Sequence, residues 1–169
     1  MAFDGNYMPT SFKVGILNGA FSFATGTGGA YYIALYTNLA TLNAATTQYT
    51  APANGAAVPT STNEVSSQQP AGAGASGYTT GGNLLTVALA PTSASGTTAY
   101  IDFDNTTWST ATFTARGAMI YRLGTYGGVV NPAIAILDFG SDKSSSASNF
   151  TIEFPSVGTN GATAILRIA

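Results

Sequence analysis

Few residues in this chain could do chemistry. Asp102-Phe103-Asp104-Asn105 opens like a calcium loop, in which oxygen ligands alternate along the backbone. That loop needs glycine at its sixth position and glutamate at its twelfth, where Thr107 and Phe113 stand. Asp138 and Asp142 could join a different coordination geometry, but a simpler reading needs no ion. It has two carboxylates on the outward face of a strand that leads into an Asx-type turn before Trp108. Gly72-Ala73-Gly74-Ala75-Ser76-Gly77 matches the dinucleotide fingerprint G-x-G-x-x-G letter for letter. The fingerprint works only between a strand and a helix whose N-terminus meets the pyrophosphate. Gln68-Gln69-Pro70 precedes it here and Tyr78-Thr79-Thr80-Gly81-Gly82 follows, so the run reads as a flexible low-complexity loop.

Paired carboxylates also cleave glycosidic bonds, but this chain has few charges from which to build such a cleft. Its tyrosines and Trp108 could instead stack on sugar, although aromatic side chains in strands mostly serve core or interface. Arg116 is expected to pair with Asp138 or Glu153 inside the fold, with a partner chain as the alternative, and Arg122 follows at the end of the same strand. Asn105-Thr106-Thr107 and Asn149-Phe150-Thr151 are glycosylation sequons by pattern alone. No catalytic, cofactor-binding or metal-ligating residue is assigned, and no cofactor is expected.

The composition narrows the choices further. The 169 residues correspond to a single domain, 1–169, by a prior of roughly 150 residues per domain. Five Lys and Arg stand against seven Asp and Glu, for a net charge of −2, and charged residues make up 7% of the chain against about 25% in ordinary domains. Cys and His are absent, which excludes zinc fingers, disulfide scaffolds, thiol nucleophiles and any imidazole-dependent site. Only Lys13, Arg116, Arg122, Lys143 and Arg167 could grip phosphate, so no nucleic-acid partner is expected. With 45% hydrophobic and 11% aromatic residues the chain does not read as disordered. A neutral surface of Thr, Ser, Asn, Gln and Gly favours association, which suits a protein packed into an assembly.

Val14 to Tyr36 is uncharged, but Thr25-Gly26-Thr27-Gly28-Gly29 divides it into runs too short to span a bilayer. No membrane partner is expected, and the chain reads as soluble and unprocessed.

These candidates must be positioned by strands. One short helix is predicted over 10–24, started by Pro9 with Thr10 or Ser11, with Phe12, Ile16, Leu17, Ala20 and Phe21 at helical spacing. Gly15 and Gly19 weaken it, each by up to about 1 kcal/mol. Beyond it, short strands are predicted at 31–37, rich in aromatic and branched residues, at 84–90, 99–104 and 110–122, at 133–139, which is apolar on both faces as a central sandwich strand would be, and at 149–154 and 162–168. In the fourth run, Phe113, Ala115, Gly117, Met119 and Tyr121 are placed on one face. Phe150, Ile152 and Phe154 point inward in the sixth. The predicted fold is mainly β: an antiparallel β-sandwich, jelly-roll-like, of about eight strands with one short N-terminal helix. The connection at 40–77 is rich in Gly, Ala and Pro and reads as an extended loop or arm, interrupted at Asn63-Glu64-Val65 by a short edge strand.

Several runs carry a family resemblance. YYIALYTNLATLNAATTQYT, TNEV, GYTTGG, Trp108 to Ala118 (WSTATFTARGA) and Leu137 to Lys143 (LDFGSDK), with AIAILDFGSDKSSSASNFTIEFP and the closing ILRIA, resemble small virion structural proteins of tailed bacteriophages. The opening FKVGILNGAFSF is similar to the short helix at the start of that family, and the likeness extends from about Phe12 to Ala169. The run SSQQPAGAGAS after Val65 departs from it.

The resemblance implies a non-enzymatic capsid cement or decoration protein on the capsid exterior. Such a protein would be a homotrimer bound to the major capsid protein. The alternative is a tail, neck or fibre component, including one that recognises host-surface carbohydrate.

Overall fold

The computed structural model describes residues 3–23, 29–51, 63–65, 76–93, 97–156 and 163–168. Among the described residues the chain is mainly β and antiparallel, with one short helix and a sandwich-like arrangement. Helix α1 spans Thr10–Leu17. The strands are β1 (Tyr31–Tyr36), β2 (Asn83–Leu85), β3 (Val87–Ser93), β4 (Ala99–Phe103), β5 (Thr106–Arg122), β6 (Thr125–Tyr126), β7 (Val129–Val130), β8 (Ala133–Ile152) and β9 (Leu166–Ile168). One sheet runs β2-β1-β5-β8 and the second β3-β4-β9, while β6 and β7 form a separate hairpin.

Helix α1 is shorter than its predicted span because Gly19 ends it. With φ +68, Gly19 turns left-handed, its amide bonds to the Ile16 carbonyl and the Ala20 amide to that of Gly15. This is a Schellman closure, which glycine adopts without a Cβ penalty. The chain then doubles back so that the Phe21 ring lies on Gly15, where any Cβ would collide with it. At the other end the Thr10 amide bonds to the Ala44 carbonyl at 2.9 Å, satisfying a first-turn donor that no side chain caps.

Three predicted runs differ in extent from the reading. The run at 84–90 breaks at Thr86, where the chain leaves the first sheet as β2 and enters the second as β3. The runs at 133–139 and 149–154 are one strand, β8, whose intervening serine-rich stretch pairs with β5. Register slips between Ala115 and Gly117, where Phe139 to Asp142 on β8 leave the ladder. Such a bulge shifts the alternation by one residue. The face that carries Phe113 and Ala115 therefore continues through Ala118 and Ile120, and Met119 and Tyr121 turn to the opposite face, against the expected phase.

The part of the first sheet made by β1, Gly117 to Arg122 of β5 and Ala133 to Leu137 of β8 is buried on nearly every position of both faces. Between the sheets, Ile33, Leu35, Ile120 and Trp108 meet Ile101, Phe103 and Leu166. On the far face Phe3, Leu42 and Tyr49 cover Ala34, Tyr36, Met119 and Ile136. This third layer is irregular chain. Within the stretch expected as an arm, residues 40–51, 63–65 and 76–77 are described, and there Ala40, Leu42, Tyr49, Glu64 and Val65 pack into the body. The rest of 40–77 lies outside the described residues.

Candidate functional site

The fold converges on Glu64. It is the only charged residue between Lys13 and Asp102 in the sequence, and it is 1% exposed. The segment 63–65 lies beside β1 in line with β2. Tyr36 and Glu64 form an antiparallel bridge, the Val65 amide bonds to the Leu35 carbonyl at 2.8 Å, and the Thr37 amide to that of Asn63 at 3.0 Å. The edge-strand expectation for Asn63-Glu64-Val65 is met by this single bridge.

The bridge turns the carboxylate into a ring of donors. Tyr78 donates its hydroxyl to Oε1 at 2.6 Å, the Gly81 amide donates to the same oxygen at 2.7 Å, and the Tyr49 hydroxyl donates to Oε2 at 2.8 Å. Tyr78 also accepts the Leu35 amide at 3.0 Å, and Tyr121 donates to the Gly81 carbonyl at 3.0 Å. Tyr49 and Tyr121 stack with centroids 4.2 Å apart.

Burial raises the Glu64 pKa above its ordinary value, and the three donors pull against that shift. Burial likewise raises the phenols of Tyr36, Tyr49, Tyr78 and Tyr121, and the Glu64 charge adds to it. A carboxylate this enclosed and satisfied acts as a clasp joining β1, the stretch near Tyr49 and the turn at Gly81.

The residues singled out in the sequence do not assemble into one centre. Arg116 Nε lies 3.3 Å from Asp138 Oδ1, the structural pairing expected of it, and Glu153 is exposed. Asp142 accepts from the Asn38 side chain at 2.9 Å, and Asp104 is exposed. Asn105 accepts the Phe154 amide at 2.8 Å, a long-range bond across 49 positions and not the local Asx-type turn expected before Trp108. No group of three His, Cys, Asp or Glu that could hold a metal occurs among the described residues. Residues 72–75 of the glycine-rich run lie outside them, and Ser76 is buried.

Trp108 is 3% exposed and packs with Tyr78, Phe113 and Phe150, so its ring offers no open face for a sugar. Arg122 has no carboxylate partner among the described residues. It lies 4% exposed with its guanidinium 3.7 Å from the Tyr126 ring centroid.

Recesses lined by described residues open on the surface. One of about 150 Å³ is apolar and lies between α1 and the second sheet, lined by Phe12, Phe21 and Tyr100 among others. A second, of about 320 Å³, is lined by Thr41, Gln48, Thr50 and Asn63 over Leu42 and Met119. A third, of about 350 Å³, follows β8. Large apolar side chains stand in solvent around them: Leu17 is 86% exposed and Leu39 66%. No helix among the described residues is long and apolar enough to cross a membrane.

The carboxylate clasp was missed in the sequence reading. A single Glu in a long charge-free stretch rich in tyrosine was the signal that could have found it. Comparison with protein-family models, with curated proteins and with solved structures finds no match.

Proposed function

We propose that this chain is a non-enzymatic structural protein of a tailed-phage virion: a cement or decoration protein that oligomerises, as a trimer, on the capsid exterior. There it stabilises the head shell through contacts with the major capsid protein. The observation that carries this reading is a surface almost without charge that keeps large apolar side chains in solvent, Leu17, Leu39 and Leu84 among them. Repeated copies, each bridging several shell subunits, gain avidity from many weak contacts. With so little charge, binding should depend weakly on salt. The resemblance of the Trp108 to Ala118 and Leu137 to Lys143 runs to virion structural proteins supports the same reading.

A second reading, a tail, neck or fibre component that binds host-surface carbohydrate, draws on the recess of Thr41, Gln48, Thr50 and Asn63. Neutral hydrogen-bonding groups there surround a floor suited to a polyol.

A reconstruction of the intact particle tests both. Density for this fold on the head shell supports the first reading, and density at the tail or fibre replaces it with the second. Particles that lack the protein should leak their genome on mild heating under the first reading, and should fail to adsorb under the second.

A further inference from the structure

Arg122 carries a buried charge that no acidic side chain of its own chain answers. The residue closes β5 opposite Tyr31, its amide bonds to the Pro132 carbonyl at 3.1 Å, and it is 4% exposed. All seven acidic side chains of the sequence lie among the described residues, and there only Asp138 forms an ion pair, with Arg116. Glu64 is spent on its tyrosines, while Asp4 and Asp142 accept from Tyr7 and Asn38. A guanidinium taken out of water without an anion is costly.

The surroundings hold this cation in place and leave its polar edge unused. Its Cζ lies 3.7 Å from the centroid of the Tyr126 ring and 5.6 Å from that of Tyr31. Both rings are buttressed, Tyr31 by a stack with Phe23 at 4.9 Å and Tyr126 by Phe21 at 6.1 Å. Gly29 packs so close that any Cβ there would overlap Nε and Nη2. Nε is sealed from solvent without a hydrogen-bond partner. Neither Nη nitrogen donates a hydrogen bond among the described residues, and neither is sealed in that way.

We propose that the Nη edge of Arg122 is a binding site for a carboxylate brought by another molecule. A planar fork of parallel N–H donors matches the two oxygens of a carboxylate, and the low dielectric of a buried site strengthens each charge-assisted bond. Of the charges that act on the neighbouring Tyr31 phenol, Arg122 is the one cation, which suits a monoanion better than a phosphate dianion. The packed rings set the fork before the ligand arrives, so little side-chain freedom is lost on binding.

Two sources carry this chemistry: a free small carboxylic acid, and an acidic side chain of a second copy, on which Asp104 and Glu153 are exposed. The inference goes beyond the shell reading and does not depend on it.

Acetate is the probe, titrated into the full chain against chloride at equal ionic strength. The Arg122 Nε–H signal in heteronuclear NMR, identified by its absence from Arg122→Met, should shift and saturate with acetate and stay in place with chloride. Arg122→Lys keeps the charge but loses the fork, and Gly29→Ala crowds Nε and Nη2. Each should weaken acetate binding by about tenfold or more. Where a second copy supplies the carboxylate, the same signal moves with protein concentration and acetate dissociates the associated form in sedimentation. Where a free acid supplies it, acetate shifts the signal and leaves sedimentation unchanged. A signal indifferent to acetate and to protein concentration overturns the inference, and the wild-type titration alone decides this even if a variant fails to fold. An equal response to chloride, or undiminished acetate binding by Arg122→Lys, overturns it as well.

Discussion

Tyr78 and Glu64 share one short hydrogen bond, 2.6 Å from phenol to carboxylate, and through it the backbone of β1 is wired to a segment far along the chain. The Leu35 amide lacks a strand partner at that point and donates to the Tyr78 oxygen instead, at 3.0 Å. The hydroxyl therefore accepts from backbone and donates to carboxylate at once. This leaves the Leu35 donor satisfied where β2 has ended and the segment at Glu64 begins.

Removing the carboxylate strands its donors. Glu64→Ala leaves Tyr78, Tyr49 and Gly81 without their acceptor, at about 1 kcal/mol each, so a loss of about 3 kcal/mol is expected in denaturant unfolding. Glu64→Gln keeps an oxygen for Tyr78 and Gly81 and turns its amide toward the Tyr49 oxygen. It should cost less than about 1 kcal/mol. Equal losses from both variants would show that the charge, and not the acceptor geometry, holds the clasp.

The same pair predicts the pH dependence. The folded-state pKa of Glu64 is raised above its ordinary 4.5, so the folded chain holds that proton more tightly than the unfolded chain. Its contribution to stability is fully present below 4.5 and is lost as pH rises through the folded value. Glu64→Gln should remove that slope. At the alkaline end the raised phenols of Tyr36, Tyr49, Tyr78 and Tyr121 act in the same direction. Stability should hold up to about pH 10, where unfolded tyrosines begin to ionise, and fall above it. Unfolding curves across pH, compared between wild type and variant, check both limbs.

Gly82 sits at φ +77 with its α-carbon against the Ile33 carbonyl, so any Cβ would overlap that backbone oxygen. Gly82→Ala combines left-handed strain of about 1 kcal/mol with a backbone displacement of β1, and a total near 3 kcal/mol is expected. Gly128, also left-handed at φ +79, has open space where a Cβ would go. Gly128→Ala should cost only the strain of about 1 kcal/mol, a contrast that thermal melts resolve.

Much of this fold was legible, and the failures share a physical origin. The strand at Tyr31 follows from its aromatic and branched residues, and the strand at Ala99 and the inward pair Ile152 and Phe154 follow from alternation. Alternation misled where a bulge intervened. Ala115 and Ala118 share a face only because the register slips between them, and no local pattern announces that slip. The serine-rich run from Ser144 to Ser148 fell between two predicted strands, yet its partners from Ala111 to Thr114 hold it in a ladder. Glu64 escaped notice because a clasp is made by residues distant in sequence. Tyr49, Tyr78 and Gly81 become its donors only after the chain has folded.

Arg122 presents the opposite case, a buried charge with no anion beside it among the described residues. Its Nε has no hydrogen-bond partner, and its guanidinium is held over Tyr126 at 3.7 Å and near Tyr31 at 5.6 Å. A planar cation stacks on such rings where an ammonium on a flexible stem does not, so Arg122→Lys should cost about 1 to 2 kcal/mol. Arg122→Met keeps much of the volume and removes the desolvated charge, and replacing a buried charge by an apolar side chain is often neutral or stabilising. If the rings stabilise the site mainly through packing, Met should melt at or above the wild-type temperature and Lys below it. If Met melts lower than Lys, the cation–π attraction outweighs the cost of burying the charge, and Arg122 is held there by electrostatics.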